Sequence, residues 1–252
     1  DVIITDHHQL PPELPDAYAA VNPQRLSADH PLHTLPGVGC AYKLIEALYE
    51  RAGRIDETTQ FLDLVALGIV ADVATQTDDT RYLLQKGLNV LRKTPRLGLK
   101  ALMENAKIDP KQIDAQTIGF GIGPRMNALG RLDDANKAVE FLTTRDITRA
   151  ETLANMLEGL NNNRREMMNH TEAGALIQIE KNPALIDNYS VLILSDEKWE
   201  GGIVGIVASR LAEKFSRPTI LFRIEDGIAR GSARSVEGLD ITAAISKHQD
   251  ML

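Results

Sequence analysis

Apolar positions along the chain switch between two periods, and the switches mark its elements. Val2–Thr5 is a short, largely β-branched apolar run and predicts a buried strand. Ala17–Val21 predicts a second strand, halted by Asn22-Pro23. After Pro36-Gly37 apolar residues recur every three or four positions. Ala41–Arg51, Thr58–Val70, Arg81–Arg92 and Leu97–Asn105 therefore predict helices. Shorter helical stretches follow at Ala115–Phe120 and Ala135–Leu142. From Ile147 to Lys181 there is no proline, and the composition predicts one long helix or two joined ones, with Gly159 and Gly174 as weak points and Asn182-Pro183 as the stop. Beyond it the pattern alternates: Ser190–Leu194 strand, Val204–Phe215 helix, Thr219–Phe222 and Ala229–Ala233 strands, Ile241–Lys247 helix.

This order predicts an α/β protein in two parts. Residues 1–145 hold two strands and a run of helices, 146–184 form a connecting helix, and 185–252 form a smaller α/β unit. A parallel strand such as Val2–Thr5 needs strand neighbours and cover on both faces. This sequence offers too few, so the expectation is a truncated parallel-sheet domain, a piece of a longer protein cut at both ends.

Composition narrows the function. Hydrophobic residues make up 43% and charged residues 25%, as in ordinary globular proteins. Aromatics are only 4%, too few for a complete base-stacking surface for single strands. The net charge of −7 argues against coating nucleic acid through a general basic field. It leaves room for a nuclease, whose metals need carboxylates. There is no run of apolar residues long enough for a transmembrane helix, and the single cysteine, Cys40, has no internal partner. A cytoplasmic location without a membrane partner is the expectation.

The sharpest chemical signal is Asp6-His7-His8, which follows the Val2–Thr5 strand. Ligand sites in open α/β sheets lie beyond the carboxyl ends of strands. A carboxylate and imidazoles there suit Mn²⁺, Zn²⁺ or Fe²⁺ better than an all-oxygen Mg²⁺ site. In extended geometry neighbouring side chains point to opposite sides, so His7 and His8 are expected to do different work. Asp72 emerges from a mostly apolar helical run and needs a partner. In Gly119-Phe120-Gly121-Ile122-Gly123-Pro124-Arg125-Met126-Asn127, continuing to Gly130-Arg131, glycines and two arginines read either as a phosphate grip or as a glycine-rich turn. Pro124 and the lack of a preceding strand exclude a dinucleotide fingerprint. Trp199-Glu200-Gly201-Gly202-Ile203-Val204-Gly205 opens a helix whose N-terminus suits an anion. Arg230-Gly231-Ser232-Ala233-Arg234-Ser235 could donate to a phosphate. Gly37-Val38-Gly39 reads as tight packing before a helix.

Taken in order, DVIITDHHQLPPELPDAYAAVNPQR, LGIVADV, GFGIGPRMNALGRLDDANKAVEFL, WEGGIVGIVASRLAEKFSRPTILF and GSARSVEGLDI resemble the RecJ exonucleases of the DHH family, across nearly the whole chain. The resemblance implies a DHH catalytic domain joined by the long helix to a DHH-associated domain. It places Asp6, His7, His8 and Asp72 at a two-metal centre using Mn²⁺ or Mg²⁺. It puts Arg125, Asn127 and Arg131 near the substrate path, and Ser232 and Arg234 near the terminal phosphate. The implied activity is degradation of single-stranded DNA from the 5′ end, in recombination and repair beside a helicase and single-strand-binding protein. The family's upstream Asp-x-Asp strand, its Gly-Gly-His motif and its oligonucleotide-binding domain fall outside this sequence, which by itself is expected to be inactive. Position 200 is Glu where relatives commonly carry His. Two rival readings share the motifs: a DHH phosphodiesterase for short oligonucleotides or cyclic dinucleotides, and a non-catalytic replication scaffold on the same fold.

Overall fold

A computed structural model describes residues 1–132 and 136–248, with the side chains of Arg131 and Leu132 outside the description. The described chain falls into two compact units, residues 1–129 with 134–158, and residues 130–133 with 159–252.

The first unit opens with a parallel pair of strands, β1 (Ile3–Thr5) and β2 (Ala19–Val21), in register Ile3 to Ala19 and Thr5 to Val21. β1 is not the buried strand that its apolar run predicts. Among the described residues it pairs only with β2, and Ile3 keeps 54% of its surface exposed. Helix α1 (Gly37–Arg51) begins four residues earlier than its periodicity indicates, so Gly37-Val38-Gly39 form its first turn. A Cβ added at Gly39 would fall 2.4 Å from Cγ of Leu35, which supports the tight-packing reading.

A 3-10 segment (Ile55–Phe61) leads into α2 (Leu62–Ala71), followed by α3 (Asp78–Leu91) and α4 (Leu97–Asn105). α2 is apolar nearly all round and fully buried at Ala66 and Ile69, as a central helix must be. Its one acid, Asp63, is also fully buried. The carboxylate accepts from Thr94 Oγ1 at 2.7 Å and Arg96 Nε at 2.9 Å, while Arg96 Nη1 donates to the Leu142 carbonyl. This charge ties α2 to the start of α4.

The glycine-rich segment, read either as a phosphate grip or as a glycine-rich turn, is helical, in line with the helical stretch expected at Ala115–Phe120. A π turn (Thr117–Ile122) runs straight into α5 (Gly123–Leu132). Pro124 sits at the second position of α5, beside the change of spacing. α6 (Asn136–Thr143) follows, and then α7 (Ile147–Lys181), a single unbroken helix of 35 residues. No helix of the described residues is long and apolar enough to cross a membrane.

In the second unit a short helix α8 (Ala184–Asp187) precedes β3 (Leu192–Asp196), α9 (Gly201–Phe215), β4 (Thr219–Glu225), β5 (Ile228–Arg234) and α10 (Ile241–Ser246). β3 and β4 are parallel and joined through α9, whereas β5 returns antiparallel to β4. Leu192, Leu194, Trp199, Val204, Val207, Leu211 and Leu221 form the core, with Met168, Ala175 and Ile179 of α7 packed into it. The fold is thus mixed α/β with parallel strand pairs in both units.

Candidate metal centre

Asp6, His7 and His8 follow directly on β1, where the strand has ended and the chain bends. The Asp6 backbone N–H still donates to the Val21 carbonyl at 3.0 Å, which anchors the turn to β2. The two imidazoles do not point apart as expected for neighbours on a strand. Their ring centroids lie 4.4 Å apart at a 40° tilt. One ligand atom from each of Asp6, His7 and His8 falls within 4.8 Å of the others.

Asp72 arrives from the other side as the residue that caps the end of α2. Its carboxylate lies 3.6 Å from His7 Nδ1. The helix stops in a Schellman-like turn: the Ala74 N–H reaches back to the Ile69 carbonyl at 3.1 Å, and Val73 takes a left-handed φ of 53°. Two chain segments distant in sequence are therefore brought together by a strand end and a helix end. Asp72 is exposed and not held close to the core as its apolar run predicts; the His7 imidazole stands beside it.

Local contacts tune these groups. His8 Nδ1 and Asp6 Oδ1 are 2.7 Å apart. That hydrogen bond is the main cause holding the Asp6 carboxyl below its usual range, helped by the His7 backbone N–H. The same bond raises the affinity of His8 for its proton. Behind the turn, Cys40 Sγ donates to the Asp6 carbonyl at 3.6 Å, and burial pushes its thiol pKa up. It is a packed residue and not a nucleophile. Gly37 gives His7 its room, since a Cβ there would lie 3.1 Å from His7 Cδ2.

The surrounding cleft adds residues that sequence spacing did not single out. Gln24, His33, Thr34 and Thr75 line it together with His7, His8 and Asp72. His33 Nδ1 lies 3.2 Å from the Leu26 carbonyl. An adjoining hollow is lined by His7, Gly37, Gly68, Asp72 and Asn127. Asn127 of α5 is thus beside the centre. Arg125, two residues earlier, is buried and turned to Glu158 of α7, with Nε to Oε2 at 2.5 Å and Nη2 to Oε1 at 3.2 Å, while Nη1 donates to the Gly121 carbonyl. The Arg131 side chain lies outside the described residues. Two carboxylates and two imidazoles form a mixed oxygen–nitrogen donor set, one that fits Mn²⁺ and offers Mg²⁺ its carboxylates.

Ser232 and Arg234 belong to the second unit, two residues apart on one face of β5. Both approach the second turn of α9. A Cβ at Gly205 would lie 2.9 Å from Arg234 Nη2 and 3.1 Å from Ser232 Oγ. Arg234 Nε donates to Ser209 Oγ at 3.0 Å and Nη1 to the Ala233 carbonyl. Glu200, at the start of α9, lies 3.4 Å from Arg223 Nη1.

Known proteins match both segments. The DHH family, N-terminal domain, matches residues 1–69, and the DHHA1 domain matches residues 188–252. The single-stranded-DNA-specific exonuclease RecJ of Bacillus subtilis (strain 168) is 39% identical over 100% of this chain and 31% of its own length. RecJ of Escherichia coli (strain K12) is 39% identical over 98% of this chain and 45% of its own length. The crystal structure of RecJ in complex with Mn²⁺ from Thermus thermophilus superimposes with a TM-score of 0.86 at 30% identity, over 100% of this chain and 36% of that one. A crystal structure of exonuclease RecJ bound to manganese gives 0.79 at 32% identity, over 98% of this chain and 60% of that one. The Thermus protein has also been crystallised with Mg²⁺. The chain therefore spans less than half the length of these curated relatives. With the DHH and DHHA1 segments in order and RecJ proteins matching it from end to end, the chain is a RecJ homologue of the DHH family.

Proposed function

We propose that the protein is a metal-dependent exonuclease that degrades single-stranded DNA from the 5′ end, in recombination and repair. The carrying observation is the meeting of Asp6, His7 and His8 with Asp72, which ends a different element 3.6 Å from His7. A non-catalytic scaffold has no use for that convergence. In this reading Asp6, His7, His8 and Asp72 hold two Mn²⁺ or Mg²⁺ ions. When bound, such ions lower the pKa of a water and neutralise charge at the scissile phosphate.

The chain's own residues then orient and bind. His8 is fixed by Asp6, so its ring keeps one orientation toward the cleft. Asn127 offers an amide to the strand beside His7 and Asp72. Arg125, held by Glu158, keeps α5 in place. Arg131 is assigned to the substrate path. Ser232 and Arg234 recognise the terminal phosphate by charge-assisted hydrogen bonds. Single-strand-binding protein and a helicase are the expected partners.

The test is release of mononucleotides from a 5′-phosphorylated single strand in Mn²⁺, with duplex and dinucleotide as comparison substrates. His7→Ala and Asp72→Ala in the full-length protein should each lower turnover about a hundredfold or more while preserving the fold, since charge stabilisation in phosphoryl transfer is lost. Near-normal turnover at saturating Mn²⁺ in either variant would remove the metal assignment. Faster attack on dinucleotides than on long strands would favour the small-substrate reading.

A further inference from the structure

Among the described residues the two most exposed large hydrophobic side chains are Val73, at 88%, and Phe120, at 81%. Apolar side chains scattered singly over a surface need no explanation. Val73 and Phe120 both belong to segments at the C-terminal end of α2. Val73 follows Asp72 directly, in a left-handed conformation that a β-branched residue rarely takes. Phe120 lies on the π turn, which runs along the same end of α2. A Cβ at Gly119 would be 3.6 Å from Val70 Cγ1, and one at Gly123 would be 3.9 Å from Ala71 Cβ. With its neighbours turned to α2, Phe120 points to solvent. Seven residues on, about 10 Å along a helix, Asn127 lines the hollow shared with His7 and Asp72. The ring therefore stands a short step along the surface from the metal centre. Irregular π turns recur at functional sites.

We propose that Phe120 is a base-stacking residue, its ring face taking a nucleobase of the single strand close to the scissile linkage, with Val73 as the apolar flank of that contact. The inference rests on the exonuclease reading and adds a positioning group to it. The polar residues around the centre provide for phosphate and metal, and the Phe120 ring adds a flat apolar face that suits a base. An exonuclease must accept every base in turn. A ring face does so, because each base has a π face to offer, whereas a hydrogen-bonding pocket would discriminate. Asn127 at the centre and Phe120 lie on one continuous helical segment.

The experiment measures binding of fluorescent oligodeoxythymidylate to the full-length protein in Ca²⁺, with the strand confirmed intact afterwards, and repeats it with strands carrying abasic positions near the 5′ end. Phe120→Ala should weaken binding of the intact strand about five- to a hundredfold. It should also lose the wild-type preference for intact over abasic strands, and raise KM more than it lowers kcat. Phe120→Trp should restore binding, and its emission should be quenched by the intact strand but not by the abasic one; Trp199 is buried and gives a constant background. Unchanged affinity in Phe120→Ala, or an unchanged preference for intact strands, would overturn the stacking role and leave the metal centre standing. A wild-type chain that binds no single strand would overturn both readings.

Discussion

Asp6 and His8 show how one hydrogen bond sets two proton affinities. His8, raised above 6.5 chiefly by its bond to Asp6, contributes stability that is complete below 6.5 and fades as pH rises through its shifted pKa. Asp6, lowered below 3.8 chiefly by the same bond, contributes above 3.8 and fades as pH falls through its own. The expected outcome in metal-free protein is that the His8 ring titrates above 6.5 by NMR. Asp6→Asn should bring it back toward 6.5. An unmoved midpoint would show that the contact does not persist in solution. Val73 tests a different term. A left-handed β-branched residue costs about 1–2 kcal/mol, against which glycine loses roughly 0.5–1 kcal/mol in unfolded-state entropy. Val73→Gly should therefore stabilise the chain by about 0.5–1 kcal/mol in denaturant titration. A clear loss of stability would mean that its exposed side chain makes contacts of its own.

At the level of elements, the buried charge in α2 is the feature most open to test. Asp63 has no exposure and Arg96 little, so Arg96→Met leaves a carboxylate in the core with only the Thr94 hydroxyl and the Leu64 backbone N–H as partners. Such losses cost about 3–5 kcal/mol. A midpoint shift worth less than about 1 kcal/mol would show that water reaches Asp63. Nothing in sequence spacing marked this pair, because its partners are 33 residues apart and meet only once α2 and α4 have packed. Where local chemistry decides, the sequence was legible: α4 has the predicted bounds, and α7 runs from Ile147 to the residue before Asn182-Pro183. Where tertiary packing overrides propensity it was not. Gly119–Asn127 left a phosphate grip and a glycine-rich turn as alternatives, and the structure makes it helical against α2. His7 and His8 were assigned to opposite sides by a strand rule that ceases to apply one residue before Asp6. Asp6, His7, His8 and Asp72 were nevertheless legible as candidates, because the end of a strand and the end of an apolar helix are both visible as changes in pattern. Gln24 and His33 were not, since only the fold brings them to the cleft.

For the whole molecule, the count of ligands sets an expectation. Asp6, His7, His8 and Asp72 supply at most four side chains, and two divalent ions held close together repel unless carboxylates bridge them. The 252-residue chain assayed by itself should bind Mn²⁺ weakly and at a single site by calorimetry. Tight binding of two ions would show that residues such as His33 or Gln24 complete the centre. The place of Asp72 carries a last consequence, about the order of arrival. As the cap of α2 it stands where the aligned peptide dipoles leave their negative end. That end, two carboxylates and a chain of net charge −7 greet a cation and repel a phosphate. The ion must then come first and convert a repelling hollow into an attracting one, so that DNA meets the metal-free centre as a closed door. In rapid mixing, strand capture should be fast only for protein loaded with metal beforehand, and should wait on the metal when strand and protein are mixed first.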